Sequence, residues 1–208
     1  MSSSSLHFSA TLLSWMAKCP LARNIVLSSA GSLSYTTPLT VEKMKDKHDE
    51  LVKAVRNAFR KTNSNSVRTV ELEEMKLCLT LIQEDSTYSV CGVPDLSYIL
   101  YGKELDDLIL VVEATLSPSI EHLVEGEMLF YSIAAHGHYG CRVAGLIVNL
   151  EHVYLVIPKK DITLSLRRLF KNVSYQKAVE QAEMNRKRHP WICSLCDLKH
   201  LCPLGSEA

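Results

Sequence analysis

The order of hydrophobic periods along this chain predicts a mixed α/β fold, with a helix first, strands in the middle and helices after. Three observations carry that reading. From Thr40 to about Lys61 the pattern is that of an amphipathic helix, with Met44, His48, Leu51, Val52, Val55 and Phe59 on one face. Stretches near 67–83, 88–100 and 107–116 are β-like, rich in Val, Ile, Leu, Thr and Tyr and bounded by turn residues. Two further helical patterns, at about 161–171 and 174–188, follow the strands.

The remaining elements fall between these. Ser9 is placed to cap a first helix that runs to about Cys19, where Cys19-Pro20 marks a break. Residues 28–38, small and polar, read as a loop, and Tyr101-Gly102-Lys103 as the turn of an antiparallel hairpin between 88–100 and 107–116. Ser117-Pro118 reads as the start of a helix that runs to about Ala135 and closes at His136-Gly137-His138. Cys141–Leu150 and His152–Pro158 read as two more strands.

Composition bounds the possibilities. The chain has 208 residues, 47% hydrophobic and 22% charged, which suits one domain spanning 1–208 and excludes a disordered chain. Apolar runs such as Leu108 to Val112 are far shorter than the roughly 20 residues of a spanning helix, so no membrane association is expected. The N-terminus has neither a basic n-region nor an unbroken apolar h-region, so a cytoplasmic location is expected. Seven cysteines in such a chain point away from disulfides and toward metal or redox chemistry. Net charge is zero, but residues 1–70 carry about +6, 71–127 about −11 and 159–189 about +6. An acidic centre between basic segments suits a cation site beside a phosphate-binding surface.

Two constellations carry chemistry. Cys193-Ser-Leu-Cys196, followed after five residues by Cys202-Pro203, presents three thiols to one small volume, and Cys19 is the candidate fourth ligand. Four thiolates suit an iron–sulfur cluster or zinc equally well. Such a centre would join residues 1–30 to 185–208. Cys78, Cys91 and Cys141 lie in strand-like runs and read as buried small apolar residues. The second constellation is acidic. Asp95 follows Gly92-Val93-Pro94, and Glu113 stands in the apolar run LILVVEATL, where an unpartnered carboxylate is costly. If the two strands pair, Asp95 and Glu113 converge, a divalent cation between them is chemically sensible, and His48 could complete the site.

These residues carry a family resemblance. A histidine in an N-terminal helix, then G-x-P-D, then a strand ending in glutamate, resembles the RecB-like branch of the PD-(D/E)XK nuclease superfamily. With Cys19 and C-x2-C-x5-C at the other end, the chain is similar to the CRISPR-associated iron–sulfur exonucleases, the Cas-four family, from Cys19 to Cys202. The resemblance implies a nuclease core with a central mixed sheet flanked by helices, and a cluster, 4Fe-4S rather than 2Fe-2S, held by Cys19, Cys193, Cys196 and Cys202. It implies Mn2+ or Mg2+ bound by His48, Asp95, Glu113 and the Ala114 carbonyl. The implied activity is that of a deoxyribonuclease acting on single-stranded DNA ends during CRISPR spacer capture, beside the spacer integrase, with a homo-oligomer left open.

Two positions depart from the family pattern. Where the family has lysine two residues after the glutamate, this chain has Thr115, on the same side of a strand as Glu113. A threonine hydroxyl does not offset the negative charge developed in a transition state. Where the family has Q-x-x-x-Y, this chain has Glu127 and Tyr131, with Glu127 expected to point inward. The alternative reading is a catalytically weakened nuclease-fold subunit that binds DNA and keeps its cluster. A zinc-ribbon-tailed transcription or repair factor is a third.

Overall fold

A strand buried on both faces has to be covered on both, and Leu108–Ala114 is such a strand: six of its seven residues are buried, all of them apolar but Glu113. The computed structural model describes residues 5–29, 39–61, 67–83, 86–102, 106–117, 119–158, 162–188, 193, 196 and 198–205, with the side chains of residues 5 and 39–43 outside that description. Numbered in chain order, Leu108–Ala114 is β6. It is the middle strand of a five-stranded sheet in the order β2 (Val67–Glu71), β5 (Leu96–Gly102), β6, β7 (Arg142–Val148), β8 (Val153–Val156). Only β6 and β7 run parallel in it; the other neighbours are antiparallel. A second, three-stranded sheet has the order β1 (Ser5–Ser9), β4 (Ser86–Gly92), β3 (Leu77–Gln83), with β1 parallel and β3 antiparallel to β4.

Helices cover these sheets. α1 (Ala10–Lys18), α2 (Pro20–Ser28) and α3 (Leu39–Lys61) come first, and α6 (Ile162–Leu169) and α7 (Tyr175–Arg188) last. Between β6 and β7 the crossover that a parallel pair requires is a composite helix: α4 (Glu121–Leu123), a π-helical turn (Val124–Met128) and α5 (Leu129–Tyr139). Alternation along β6 feeds two cores. Ile109 and Val111 face a large core with Leu13, Met16, Met128 and Phe130, while Leu110 and Val112 face a smaller one completed by Val55 of α3, with Phe59 stacked on Tyr98 at 4.5 Å. A third cluster, Leu21 against Ala178 and Ala182, docks α7 on α2.

The architecture is mixed α/β, and several local expectations are corrected. One central sheet becomes two mixed sheets. The stretches 67–83 and 88–100 each contain two strands, because Leu72 to Lys76 and Val93 to Asp95 carry the chain from one sheet to the other. Ser5–Ser9 pairs as a strand ahead of the first helix. The helix after β6 begins at Glu121, not Ser117. The turn before it is closed by side chains, Ser117 N–H donating to Thr115 Oγ1 at 3.0 Å and Ser117 Oγ donating to the Ser119 carbonyl at 2.8 Å. The helix passes through His136-Gly137-His138 and stops at Gly140, whose φ of 68° is a left-handed cap. Cys78 and Cys91 are not buried thiols. They stand opposite one another in the β3–β4 pair and are disulfide-bonded, with Cys78 exposed. Cys141 is a half-buried thiol. Among the described residues no helix is long and apolar enough to cross a membrane.

Candidate functional site

The antiparallel register of β5 and β6 pairs Leu96 with Val112, so Asp95 and Glu113 are the next two residues to face one another. Asp95 ends the crossing from the small sheet to the large one. Its Oδ2 accepts the Ala114 N–H at 2.8 Å, which ties the crossing to the end of β6. From the other side, α3 delivers His48. Its Nε2 donates to the Ala114 carbonyl at 3.0 Å and lies 3.3 Å from Asp95 Oδ2, while Nδ1 lies 3.8 Å from Asp49. The contact with Asp95 pushes the imidazole up to about 9 in spite of its burial, so at neutral pH it is a cation.

Glu113 shares a β6 face with Ile109 and Val111 and is 8% exposed. Its Oε1 is buried with no hydrogen-bond partner among the described residues. Burial first, then the negative charges of Asp95 and Glu127, push its carboxyl well above the ordinary range. Glu127, 7% exposed, comes from the π-helical turn, and burial raises it to about 7. Ser14 of α1 faces it and favours its ionised form, although Ser14 Oγ is itself without a well-aligned partner among the described residues. The Tyr131 phenol, buried beside Glu113, Glu127 and Asp95, is held strongly in its protonated form. Tyr131 also packs on Gly92, just before the crossing, where a Cβ would lie 2.8 Å from the phenol oxygen.

The fold thus brings Asp95, Glu113, Glu127, His48 and Tyr131 to one end of β6. Thr115 is different. Its N–H continues the β6–β7 ladder to the Val148 carbonyl at 2.8 Å, and its hydroxyl caps the following turn. Lys76, a candidate substitute for the missing lysine, is exposed between β2 and β3, and Lys103 lies outside the described residues. Ser14 and the π-helical turn were not legible in the sequence. A serine inside an apolar helical run, LLSWM, was the only mark left by the first. An open groove of about 360 Å³ leads to Asp95 past Arg56 and Arg60, both of which pair with Glu71.

His48, Asp95, Glu113 and the Ala114 carbonyl are the groups at the end of β6 with donor atoms of the kind a hard divalent cation takes. The 3.0 Å and 3.3 Å separations of His48 Nε2 from the Ala114 carbonyl and from Asp95 Oδ2 are those of a protonated imidazole facing oxygen, so a metal ion bound by His48 would have to displace that proton. Glu113 adds an oxygen with no other use. As they stand, no group of three or more His, Cys, Asp or Glu among the described residues could hold a metal ion; the converging set is two side chains and a backbone carbonyl.

A second candidate site lies at the far end of α1. Cys19 ends α1 and starts α2, and with Cys193, Cys196 and Cys202 it lines one small cavity of about 40 Å³, together with Trp15, Ala22 and Leu198. Burial, chiefly, and the neighbouring thiols push Cys19 and Cys193 up, while the N–H groups of Leu21 and Ala22 act on Cys19 in the opposite sense. Lys18 and Arg186 are close enough to act on these sulfurs. Arg186 holds the tail by donating to the Leu204 carbonyl at 3.3 Å, and Asn185 ties α7 to α1 by donating to the Lys18 carbonyl at 3.1 Å. Four sulfurs line this cavity with cations nearby, but as they stand they form no group that could hold a metal ion. In the basic segment near the C-terminus, Arg167, Arg168, Lys171, Lys187 and Arg188 are exposed and Arg186 is half-buried; Lys159, Lys160 and Trp191 lie outside the described residues.

No family model matches this chain, and no curated protein matches it. Among solved structures it is similar to the crystal structure of SSO0001, at 13% identity over 99% of this chain and 89% of that chain, with a TM-score of 0.49.

Proposed function

We propose that the protein is a metal-dependent deoxyribonuclease of the PD-(D/E)XK type that trims single-stranded DNA ends, with a thiolate-bound iron–sulfur cluster as a structural clip. The observation that carries the reading is the meeting of His48, Asp95 and the Ala114 carbonyl beside the unpartnered Glu113 oxygen. A divalent cation held by His48, Asp95, Glu113 and the Ala114 carbonyl would polarise a phosphate and lower the pKa of a bound water. The chain's own residues prepare that site. Asp95 fixes the end of β6 through the Ala114 N–H, Asp49 orients His48, and the Tyr131 phenol stays protonated as a donor toward the carboxylates. Glu127, poised near neutrality, takes the place of a glutamine and can hold or release a proton beside Glu113. Exposed Arg167, Arg168, Lys171, Lys187 and Arg188 would track a DNA backbone without reading sequence. The cellular task that fits is trimming DNA for CRISPR spacer capture beside the integrase.

The missing lysine supports a second reading, a nuclease-fold subunit that binds DNA without cutting it. Incubating end-labelled single-stranded DNA with Mn2+ and wild type, Asp95→Ala or Glu113→Ala separates the two. Cleavage by wild type alone is expected. Equal cleavage by all three would remove this site from consideration, and DNA binding with no cleavage by wild type would select the second reading.

A further inference from the structure

Alternation sorts the small sheet into two faces. Leu77, Leu79 and Leu81 of β3 and Tyr88 and Val90 of β4 turn into the large core. The opposite face carries Cys78, Thr80 and Ile82 beside Thr87, Ser89 and Cys91. Among the described residues neither cysteine of the disulfide packs against a core cluster, whereas Cys19, Cys141 and Cys196 do. The two bonded sulfurs also differ in access. β3 is an edge strand that pairs with β4 alone among the described strands, and Cys78 is exposed on it. Cys91 is half-buried in the middle strand, with Cys78 on one side and Ser9 of β1 on the other. A disulfide open to solvent is of the labile kind, because exchange requires a thiolate to reach one of its sulfurs.

We propose that Cys78–Cys91 is a reversible redox couple and that Cys78 is the site at which a low-molecular-weight thiol modifies this chain. The approach to the Cys78 sulfur from the side away from Cys91 passes over the open edge of β3, while the matching approach to Cys91 passes over Ser9. A small thiolate RS⁻ attacks Cys78 Sγ and forms an RS–S bond there. The Cys78–Cys91 bond breaks, and its electron pair leaves on Cys91, which takes up a proton from water. The mixed disulfide has two exits. Cys91, still opposite, attacks Cys78 Sγ and expels RS⁻, which restores the original bond. A second RS⁻ attacks the outer sulfur instead, giving RSSR and two protein thiols. In sum two RSH are oxidised to RSSR and the disulfide is reduced by two electrons and two protons. The β3–β4 ladder pairs seven residues of each strand through backbone groups, so the thiols stay opposed after reduction and the bond can form again. This couple is independent of the nuclease reading.

The test exposes the full chain, purified without reductant, to glutathione at a series of reduced-to-oxidised ratios under native conditions. Samples are quenched in acid, alkylated and mapped by peptide mass, with circular dichroism to verify folding. The glutathione adduct is expected at Cys78 over Cys91 by about tenfold, and the reduced fraction of the pair should follow the ratio in both directions. Treated with oxidised glutathione, Cys91→Ser should keep as a stable adduct at Cys78 what the wild type resolves into its own disulfide. A bond that resists glutathione in the native chain, yet is reduced once the chain is unfolded in urea, overturns the proposal. So do two thiols that stay free in oxidised glutathione. An adduct at Cys91 equal to or greater than that at Cys78 overturns the direction of attack. If Cys91→Ser does not fold, the mapping of the wild type decides alone.

Discussion

His48 and Asp95 approach to 3.3 Å between Nε2 and Oδ2, and this contact joins helix α3 to the strand end that carries Glu113. One imidazolium thus faces Asp95, with Glu113 and Glu127 buried beside it, an arrangement short of positive charge.

That shortage predicts how the fold responds to metal. Mn2+ should raise the melting temperature of the wild type, because an ion that binds only the folded chain stabilises it. Glu113→Gln should stabilise the metal-free protein by about 1 kcal/mol, by removing a buried like charge, and should abolish most of the Mn2+ shift. Thermal unfolding with and without Mn2+ measures both. A Glu113→Gln variant that is less stable without metal and still shifts fully with it would rule out the arrangement.

The π-helical turn rests on Gly126. A Cβ built there would lie 2.6 Å from the Ser14 backbone nitrogen and 2.7 Å from the Leu13 carbonyl carbon, so α1 has to move to admit it. Gly126→Ala should cost about 1–3 kcal/mol and shift Glu127 from its place. Urea unfolding reports the first, and the pH profile of DNA cleavage the second. An alanine variant as stable as wild type would contradict the packing.

His122 sets an acid limit. Burial first, then the charge of Lys18, lowers it to about 4, and its Nδ1 is buried with no partner among the described residues. The unfolded chain binds that proton near pH 6.5, before the fold does, so the contribution of His122 is complete above pH 6.5 and is lost as pH falls toward 4. The loss should be about 3 kcal/mol, and His122→Gln should flatten this part of the stability profile. An unchanged slope in the variant would exclude His122 as its source.

At the thiol cavity, Cys202→Ser should remove the visible absorption of an anaerobically prepared iron–sulfur form and make the chain after α7 sensitive to limited proteolysis. The α7 helix should stay docked through Leu21, Ala178 and Ala182, which form their own cluster. Metal content unchanged by the substitution would count against Cys202 as a ligand.

Much of this was readable where a residue conflicts with its surroundings. Glu113 in LILVVEATL is such a conflict, and so is His48 on an apolar helix face; both stand at the end of β6. The period of α3 marked the face that covers the sheet. Sheet membership was not readable, because period two reports burial on one face and says nothing of which neighbour a strand takes. Hence β4 and β5 looked like one strand until Val93-Pro94-Asp95 was seen to pass between sheets. Nor could spacing reveal the Cys78–Cys91 bond, which depends on the register of β3 against β4.

Helix α1 touches both sites, one at its middle and the other at its C-terminal end. Ser14 and the backbone under Gly126 lie near the carboxylates, and Cys19 closes the same helix at the thiol cavity. Nine helical residues make a rod of about 13 Å. Five residues, about 7.5 Å of helix, separate Ser14 from Cys19, so the two sites share one short stretch of backbone.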